Sequence, residues 1–350
     1  MSAARRRRPL TRREAVFAAA AALAVLAAAE VFLRLVPVGR KPYDDVFDNV
    51  HDVFFAMVPG AINPWGQLHD QLNAFGFRGE GHARAKPPGT FRVVCLGDSC
   101  TFGFRAAAQD AYPARLQKLF DARGGTPRVE VINGGVPGTV LFQQVHLLRE
   151  KLLPFAPDLV IDWSAPNWVQ SVKRYRDRMK DPPFYVALQR PLRRLALYRW
   201  LVGRFRPAPR EKAYYELLNV DPQGPGKTPV ADYLDDYRQD LEELRRLSLD
   251  RGFALIFTNY PRLQNILVRD IDPPRDGSFH FATLQAFCRA YGYPLVDLIG
   301  PQRPGADQSL WMDDVHPSGK GAQIIAKTLY DAIEAGGYLR PARAMPEGRP

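Results

Sequence analysis

The longest apolar run in the chain spans 15–29, where Ala, Val, Leu and Phe follow one another with no charge, and it extends to 37 with only Glu30 and Arg34 as ionisable residues. Counted to Val38, the run is long enough to cross about 30 Å of hydrocarbon as a helix. Glu30 and Arg34 fall one helical turn apart near its far end, where they can pair. From 91 onward the pattern changes to short β-branched runs alternating with longer amphipathic stretches. Strands are predicted over 91–96, 129–133, 158–164, 253–260 and 295–298, and helices over 112–122, 142–153, 231–251, 279–291 and 319–335. Such alternation predicts an α/β domain in which a parallel sheet is sandwiched between helices. The segment 39–90 is rich in aromatic, Pro and Gly residues without a sustained period, and is expected to wrap the domain as irregular structure or short strands. The Arg- and Pro-bearing tail over 337–350 is expected to be disordered.

Charge refines this layout. Arg5 to Arg8, Arg12 and Arg13 precede the apolar run, which places the amino terminus in the cytoplasm. The expected organisation is a basic cytoplasmic tail (1–14), a transmembrane signal anchor (15–38), the wrapping segment (39–90) and a domain at 91–336 on the extracytoplasmic side. A cleaved signal peptide competes with the anchor, because Ala27-Ala28-Ala29 resembles a cleavage site and Thr11-Arg12-Arg13-Glu14 a twin-arginine signal. Apolar residues beyond Ala29 favour the anchor, and both readings export the domain.

Much of the remaining net charge of +11 sits in an insertion at 173–230, whose first part is dense in Lys and Arg against only Asp177, Asp181 and Glu211. Within it, 192–205 is compatible with an amphipathic helix whose basic face either meets anionic lipid headgroups or is simply solvated. No nucleic-acid-binding motif accompanies the charge, and an exported domain rarely meets nucleic acid. The three cysteines, Cys95, Cys100 and Cys288, are too few and scattered for a disulfide framework or a zinc site. Neither Cys-x-x-Cys nor His-Glu-x-x-His occurs, so no metal and no cofactor is expected. Gly134-Gly135-Val136-Pro137-Gly138 lacks the Gly-x-Gly-x-x-Gly spacing of a dinucleotide site.

The strand at 91–96 runs directly into Gly97-Asp98-Ser99, and the segment Asp313-Asp314-Val315-His316-Pro317 follows more than two hundred residues later. A strand-turn-helix lifts one side chain clear of the carboxyl edge of the sheet, where open α/β sheets bind ligands. Ser99 is therefore the candidate nucleophile and His316 its candidate base. Asp313, three residues before the imidazole, is placed to orient it. Cys100 reads as a small buried hydrophobe, Asp98 as a turn hydrogen-bonder, and Trp311 and Met312 as packing residues. The other five histidines lack a carboxylate at this spacing and read as structural or exposed.

Gly97-Asp98-Ser99, Asn133-Gly134-Gly135-Val136-Pro137-Gly138, Asn167, and Asp313 with His316 occur in this order at predicted strand ends. In this the chain resembles the SGNH, or GDSL-type, hydrolases over roughly 91–335. The apolar helix and the segment Leu72-Asn73-Ala74-Phe75-Gly76-Phe77-Arg78-Gly79 look like those of membrane-anchored bacterial members. The resemblance implies a flavodoxin-like three-layer α/β/α sandwich with a five-stranded parallel sheet. It also implies an oxyanion hole made of the Ser99 N–H, the Gly138 N–H and the Asn167 amide, with Gly135 as the alternative backbone donor. Where relatives read Gly-x-Asn-Asp, this chain reads Ala165-Pro166-Asn167-Trp168, a stiffer and bulkier loop. The implied activity is hydrolysis of an ester of a lipid or an O-acylated envelope carbohydrate through an acyl-serine. O-acyl transfer to an envelope polysaccharide and a catalytically inactive binding module stay open as alternatives.

Overall fold

The computed structural model describes residues 11–36, 47–50, 53–62, 70–163, 192, 195–205, 230–267 and 278–339. In chain order the elements are α1 (Arg12–Leu35), β1 (Phe47–Val50), β2 (Val53–Met57), β3 (Thr90–Gly97), α2 (Ser99–Phe102), α3 (Tyr112–Arg123) and β4 (Arg128–Gly135). They continue with α4 (Leu141–Leu147), β5 (Leu159–Trp163), α5 (Ala196–Phe205), α6 (Val230–Arg251) and β6 (Ala254–Thr258). The chain then forms α7 (Leu263–Leu267), α8 (Ser278–Tyr291), β7 (Leu295–Val296) and α9 (Gly319–Ala335). Two compact units result, one from 1–44 with 181–215 and the other from 45–180 with 216–350.

In the first unit, α1 is 24 residues long, its most apolar 18-residue stretch has a mean hydropathy of 2.3, and none of its residues is buried. At 1.5 Å per residue it is about 36 Å long, enough to cross a bilayer. The residues that resemble a twin-arginine signal also start the helix. Thr11 Oγ1 accepts from the Glu14 N–H at 3.3 Å and the Glu14 carboxylate accepts from the Thr11 N–H at 2.7 Å, a reciprocal capping box. Arg34 Nε donates to Glu30 Oε1 at 2.7 Å, the pairing expected from their spacing.

The second unit is built on a five-stranded sheet in the order β4-β3-β5-β6-β7, every neighbouring pair parallel. The first strand of the sheet, β3, lies inside it, so the chain reverses direction of travel between β4 and β5. That reversal opens a crevice at the carboxyl ends of the central strands. The register brings those ends level, since Gly97 pairs with both Gly135 and Trp163.

The runs that predict the strands are apolar on both faces because helices cover both. Val93, Val94, Cys95 and Leu96 are wholly buried, as are Leu159, Val160 and Ile161. On one side Val93, Cys95 and Ile161 share a core with Leu116 and Phe120 of α3 and Ile325 and Leu329 of α9. The buried charges Arg92 and Glu130 face each other across β3 and β4, Nε to Oε2 at 2.8 Å. Arg92 also donates to the carbonyls of Phe155 and Arg84, at 2.7 and 2.9 Å, which ties the segment before β3 to the base of the sheet. Part of the wrapping segment is regular: β1 and β2 form an antiparallel pair.

Some expectations change. The helix predicted over 142–153 is α4 followed by a wider turn at Leu148–Leu152 and a tighter one at Leu153–Phe155. Pro154 has no N–H to continue an α-helical ladder. The last strand stops at Val296, because Asp297 Oδ1 accepts from Asn259 Nδ2 and from the Ile299 N–H, turning the chain. Of the two residues read as packing, Trp311 is buried but Met312 is 41% exposed. Residues 337–339, at the start of the expected disordered tail, form the turn after α9 with Leu339 buried. Asn167 with its block, most of the basic insertion and 340–350 lie outside the described residues.

Candidate active site

Ser99 is presented by a turn that tolerates almost no other backbone. A Cβ on Gly97 would overlap Thr101 Oγ1 and lie 2.7 Å from the Trp163 carbonyl oxygen, so glycine alone lets the turn close against β5. Asp98 is fully buried and caps α2, its Oδ1 accepting from the Cys100 N–H at 2.8 Å. Ser99 is the first residue of that short helix. Its N–H belongs to the first turn, which has no intrahelical partner, and no acceptor engages it among the described residues. Gly103, at φ +79°, ends the helix in the left-handed conformation that glycine adopts without strain.

Across the crevice, Asp313 and His316 meet Ser99 in one chain of hydrogen bonds. His316 Nε2 is 2.9 Å from Ser99 Oγ, and His316 Nδ1 is 2.9 and 2.8 Å from the two Asp313 oxygens. Asp313 Oδ1 also accepts from the N–H groups of Val315 and His316 at 3.0 and 2.8 Å. Burial opposes ionisation of Asp313, but the His316 ring and these backbone donors outweigh it and hold the carboxyl down at about 2. A carboxylate on Nδ1 keeps the proton on that nitrogen and leaves Nε2 free to accept from Ser99.

The loop holding this pair is fastened on several sides. The Met312 N–H donates to the His316 carbonyl at 2.8 Å, Trp311 bridges Pro317, and the Leu263 N–H donates to the Asp314 carbonyl at 3.1 Å. Cys100 Sγ donates to the Val315 carbonyl at 3.1 Å, joining the serine helix to the histidine loop. Burial, with the negative Asp98 nearby, pushes the Cys100 thiol well above its usual range, so the cysteine beside Ser99 stays protonated and acts as a strut. The Phe104 ring packs on the His316 ring at 4.8 Å, and Arg105 Nη1 lies 3.7 Å from Asp313 Oδ2.

The glycine loop after β4 is stitched to the serine turn by the Val136 N–H, which donates to the Gly97 carbonyl at 3.0 Å. Gly138 follows at φ +76°, and its N–H meets no acceptor among the described residues. Gly135 is unsuited as the alternative donor. Its N–H is committed to Asn133 Oδ1 at 3.0 Å, and a Cβ there would strike the Phe102 backbone. Among the described residues no group of His, Cys, Asp and Glu is placed to hold a metal ion.

One residue of the site has no counterpart among the sequence candidates. Arg78, in the segment before β3, is 3% exposed and pairs with Asp70 through Nε at 2.8 Å and Nη2 at 3.1 Å. The rest of its guanidinium donates to the carbonyls of Phe102 (2.9 Å), Gly103 and Ala106 (2.6 Å), the end of α2 and the loop beyond it. That loop carries Phe104 and Arg105 to His316 and Asp313. The signal it leaves in the sequence is an arginine inside an aromatic, glycine-rich segment.

No family model and no curated protein matches this chain. Among solved structures it is similar to the acetyl xylan esterase AlAXEase, with 15% identity over 69% of this chain and 100% of that one and a TM-score of 0.45. The lipase/acylhydrolase from Enterococcus faecalis aligns with 18% identity over 73% of this chain and 100% of its own, also with a TM-score of 0.45. A catalytic mutant of an acetylxylan esterase from Geobacillus stearothermophilus aligns with 17% identity over 72% and 97%, at the same score. At such scores and identities, any functional reading rests on this chain's own side chains.

Proposed function

We propose that this chain is a serine ester hydrolase that works through an acyl-serine. The observation that supports this reading best is the continuous chain from Asp313 through His316 Nδ1 and Nε2 to Ser99 Oγ, each link under 3 Å. In the first step His316 Nε2 takes the Ser99 proton as Oγ attacks the ester carbonyl carbon, forming a tetrahedral oxyanion. Asp313 stabilises the imidazolium without accepting its proton. The imidazolium then protonates the departing alkoxide, leaving the acyl group on Ser99. Water, deprotonated by His316, attacks the acyl-serine, and collapse of the second tetrahedral state returns the proton to Oγ.

Both tetrahedral states need donors that are in place before charge develops. The Ser99 and Gly138 N–H groups, neither spent on a neighbour among the described residues, fill two of those positions in this reading, and the Asn167 amide is the third. The substrate we assign is an ester of a lipid or an O-acylated envelope carbohydrate. The setting is a membrane one, with α1 as the anchor and the hydrolase unit on the extracytoplasmic side.

A fluorophosphonate probe, which reacts with activated serines, tests the chemistry on the full chain. Labelling of the wild type that disappears in Ser99→Ala and in His316→Ala is the expected result. Absence of labelling in folded wild-type protein overturns the hydrolase reading.

A further inference from the structure

Glu30 is a carboxylate in a helix otherwise suited to lipid, and such residues are costly there unless paired and hydrogen-bonded. Its partners in the first unit are specific. Glu30 Oε1 accepts from the Ala196 N–H at 2.9 Å and from Arg34 Nε at 2.7 Å, while Oε2 accepts from the Leu197 N–H at 2.8 Å. Ala196 and Leu197 open α5, so Glu30 holds two of the N–H groups that a helix start leaves without partners. Each element meets the other's unmet polar need, which matters most where water is scarce.

The contact also fixes a face. In α1 the half-buried residues are Ala29, Glu30 and Leu33, one helical turn on one side, and the rest of the helix is exposed. Glu30 lies five residues before the end of α1, roughly 7–8 Å along the axis from it. The start of α5 is therefore held at the depth where α1 leaves the hydrocarbon. Around that anchored start, Leu195 (41%), Trp200 (40%) and Leu201 (40%) are exposed, while Ala196 is buried. Exposed Leu beside Trp, fixed at the end of an apolar span, is the composition that settles at the boundary between acyl chains and headgroups.

We infer that α5 is a second membrane element: an interfacial helix latched to the anchor by Glu30, with Trp200 and Leu201 inserted into the leaflet that α1 exits. The inference rests on α1 spanning the bilayer. It makes the attachment a two-helix device, in which the chain re-enters the interface some 160 residues after leaving it, as the Glu30 to Ala196 separation of 166 positions requires.

Depth-dependent quenching tests it on the full chain in phospholipid vesicles. The three native cysteines are buried, so a nitrobenzoxadiazole probe can be placed on Leu201→Cys or, as a reference in the span, on Leu23→Cys. The expected result is that lipids brominated near the headgroup quench more than half the emission of the Leu201 label. Lipids brominated deep in the chain should quench the Leu23 label instead. Glu30→Leu should release the Leu201 label to aqueous iodide and leave the Leu23 label unchanged. A quenched Leu23 label beside a Leu201 label open to iodide in the wild type overturns the interfacial helix alone. Failure of both labels to be quenched overturns the spanning reading and the inference with it. Leu201 quenching that survives Glu30→Leu overturns the latch.

Discussion

Removing the Arg78 guanidinium should damage catalysis and stability together, and the two effects can be separated. Arg78→Gln leaves Asp70 without its cation and strips donors from the carbonyls of Phe102, Gly103 and Ala106. Breaking a buried pair by deleting one member costs about 3–5 kcal/mol, and the Asp70 side chain is 19% exposed, which favours the lower end. For a unit of this size, about 3 kcal/mol corresponds to a fall in Tm of ~6–12 °C. The catalytic effect follows from geometry: the carbonyls it holds frame the loop that sets Phe104 on His316 and Arg105 near Asp313. A shift of about 1 Å in a supporting element costs on the order of 10²-fold in turnover. The assay is hydrolysis of a small activated ester well below Tm, with active serines counted by fluorophosphonate titration. The expected outcome is a fall in kcat per titrated serine with KM little changed. Arg78→Lys should recover much of the stability through its charge on Asp70 but little of the turnover, because a point ammonium cannot serve a fork of three carbonyls. If Arg78→Gln melts earlier yet keeps wild-type kcat per serine and an unchanged pH–rate profile, Arg78 is structural and the positioning argument fails.

Other substitutions test separate links. Asp313→Asn should lower kcat by about 10⁴-fold with little change in KM, because the amide favours the wrong imidazole tautomer. The same residue predicts an acid limit. Its folded value of about 2 lies below the ordinary 3.8, so its stabilising contribution is complete above the ordinary value and is lost as pH falls towards 2. Acid unfolding of Asp313→Asn, followed by circular dichroism, should lack that part of the pH dependence. Cys100→Ala should keep fluorophosphonate labelling and lose less than about tenfold in kcat, since only two weak sulfur contacts are removed, one to the Val315 carbonyl and one to the Tyr260 hydroxyl. Iodoacetamide at neutral pH should leave fluorophosphonate labelling of the native protein unchanged, and its rapid loss would contradict a buried, protonated thiol. Gly97→Ala should fail to fold or melt far lower than the wild type, because the new methyl meets the Trp163 carbonyl oxygen at 2.7 Å.

What is legible in the sequence follows the range of the interactions involved. Val93 to Leu96 is readable because a strand buried on both faces is a bare apolar run, and α9 because its buried positions Ala322, Ile325, Ala326, Leu329 and Ile333 recur at helical spacing. Ser99, Asp313 and His316 are readable because each depends on near neighbours: a tight turn for the serine, a three-residue spacing for the Asp-His pair. The end of the helix beginning at Leu141 and the early stop of β7 escape the pattern because single residues, Pro154 and Asp297, override the periodicity. Gly135 reads as the fallback to Gly138 because both are glycines in one short stretch, and what the sequence does not show is that the side chain of Asn133, folded back on its own strand, takes up the Gly135 N–H.

Arg78 and Glu30 show why the rest is illegible. Each is a charged residue in an otherwise apolar or aromatic stretch, and each satisfies backbone groups that are distant in sequence: carbonyls 24 to 28 positions away for Arg78, N–H groups 166 and 167 away for Glu30. Backbone groups are the same in every residue, so their use leaves no complementary side chain to find and no spacing to count. What does remain is a charge in an apolar or aromatic stretch whose nearby partner, Arg34 for Glu30 and Asp70 for Arg78, does not use up all of its hydrogen-bonding groups. A buried charge is stable only when its partners are in place, and removing one leaves the other exposed to the full penalty. In this chain these two charges hold the ends of two short helices, α2 beneath the serine and α5 beside α1. Short helices have too few internal hydrogen bonds to hold themselves, which is why they depend on distant charges and why those charges expose them to single substitutions.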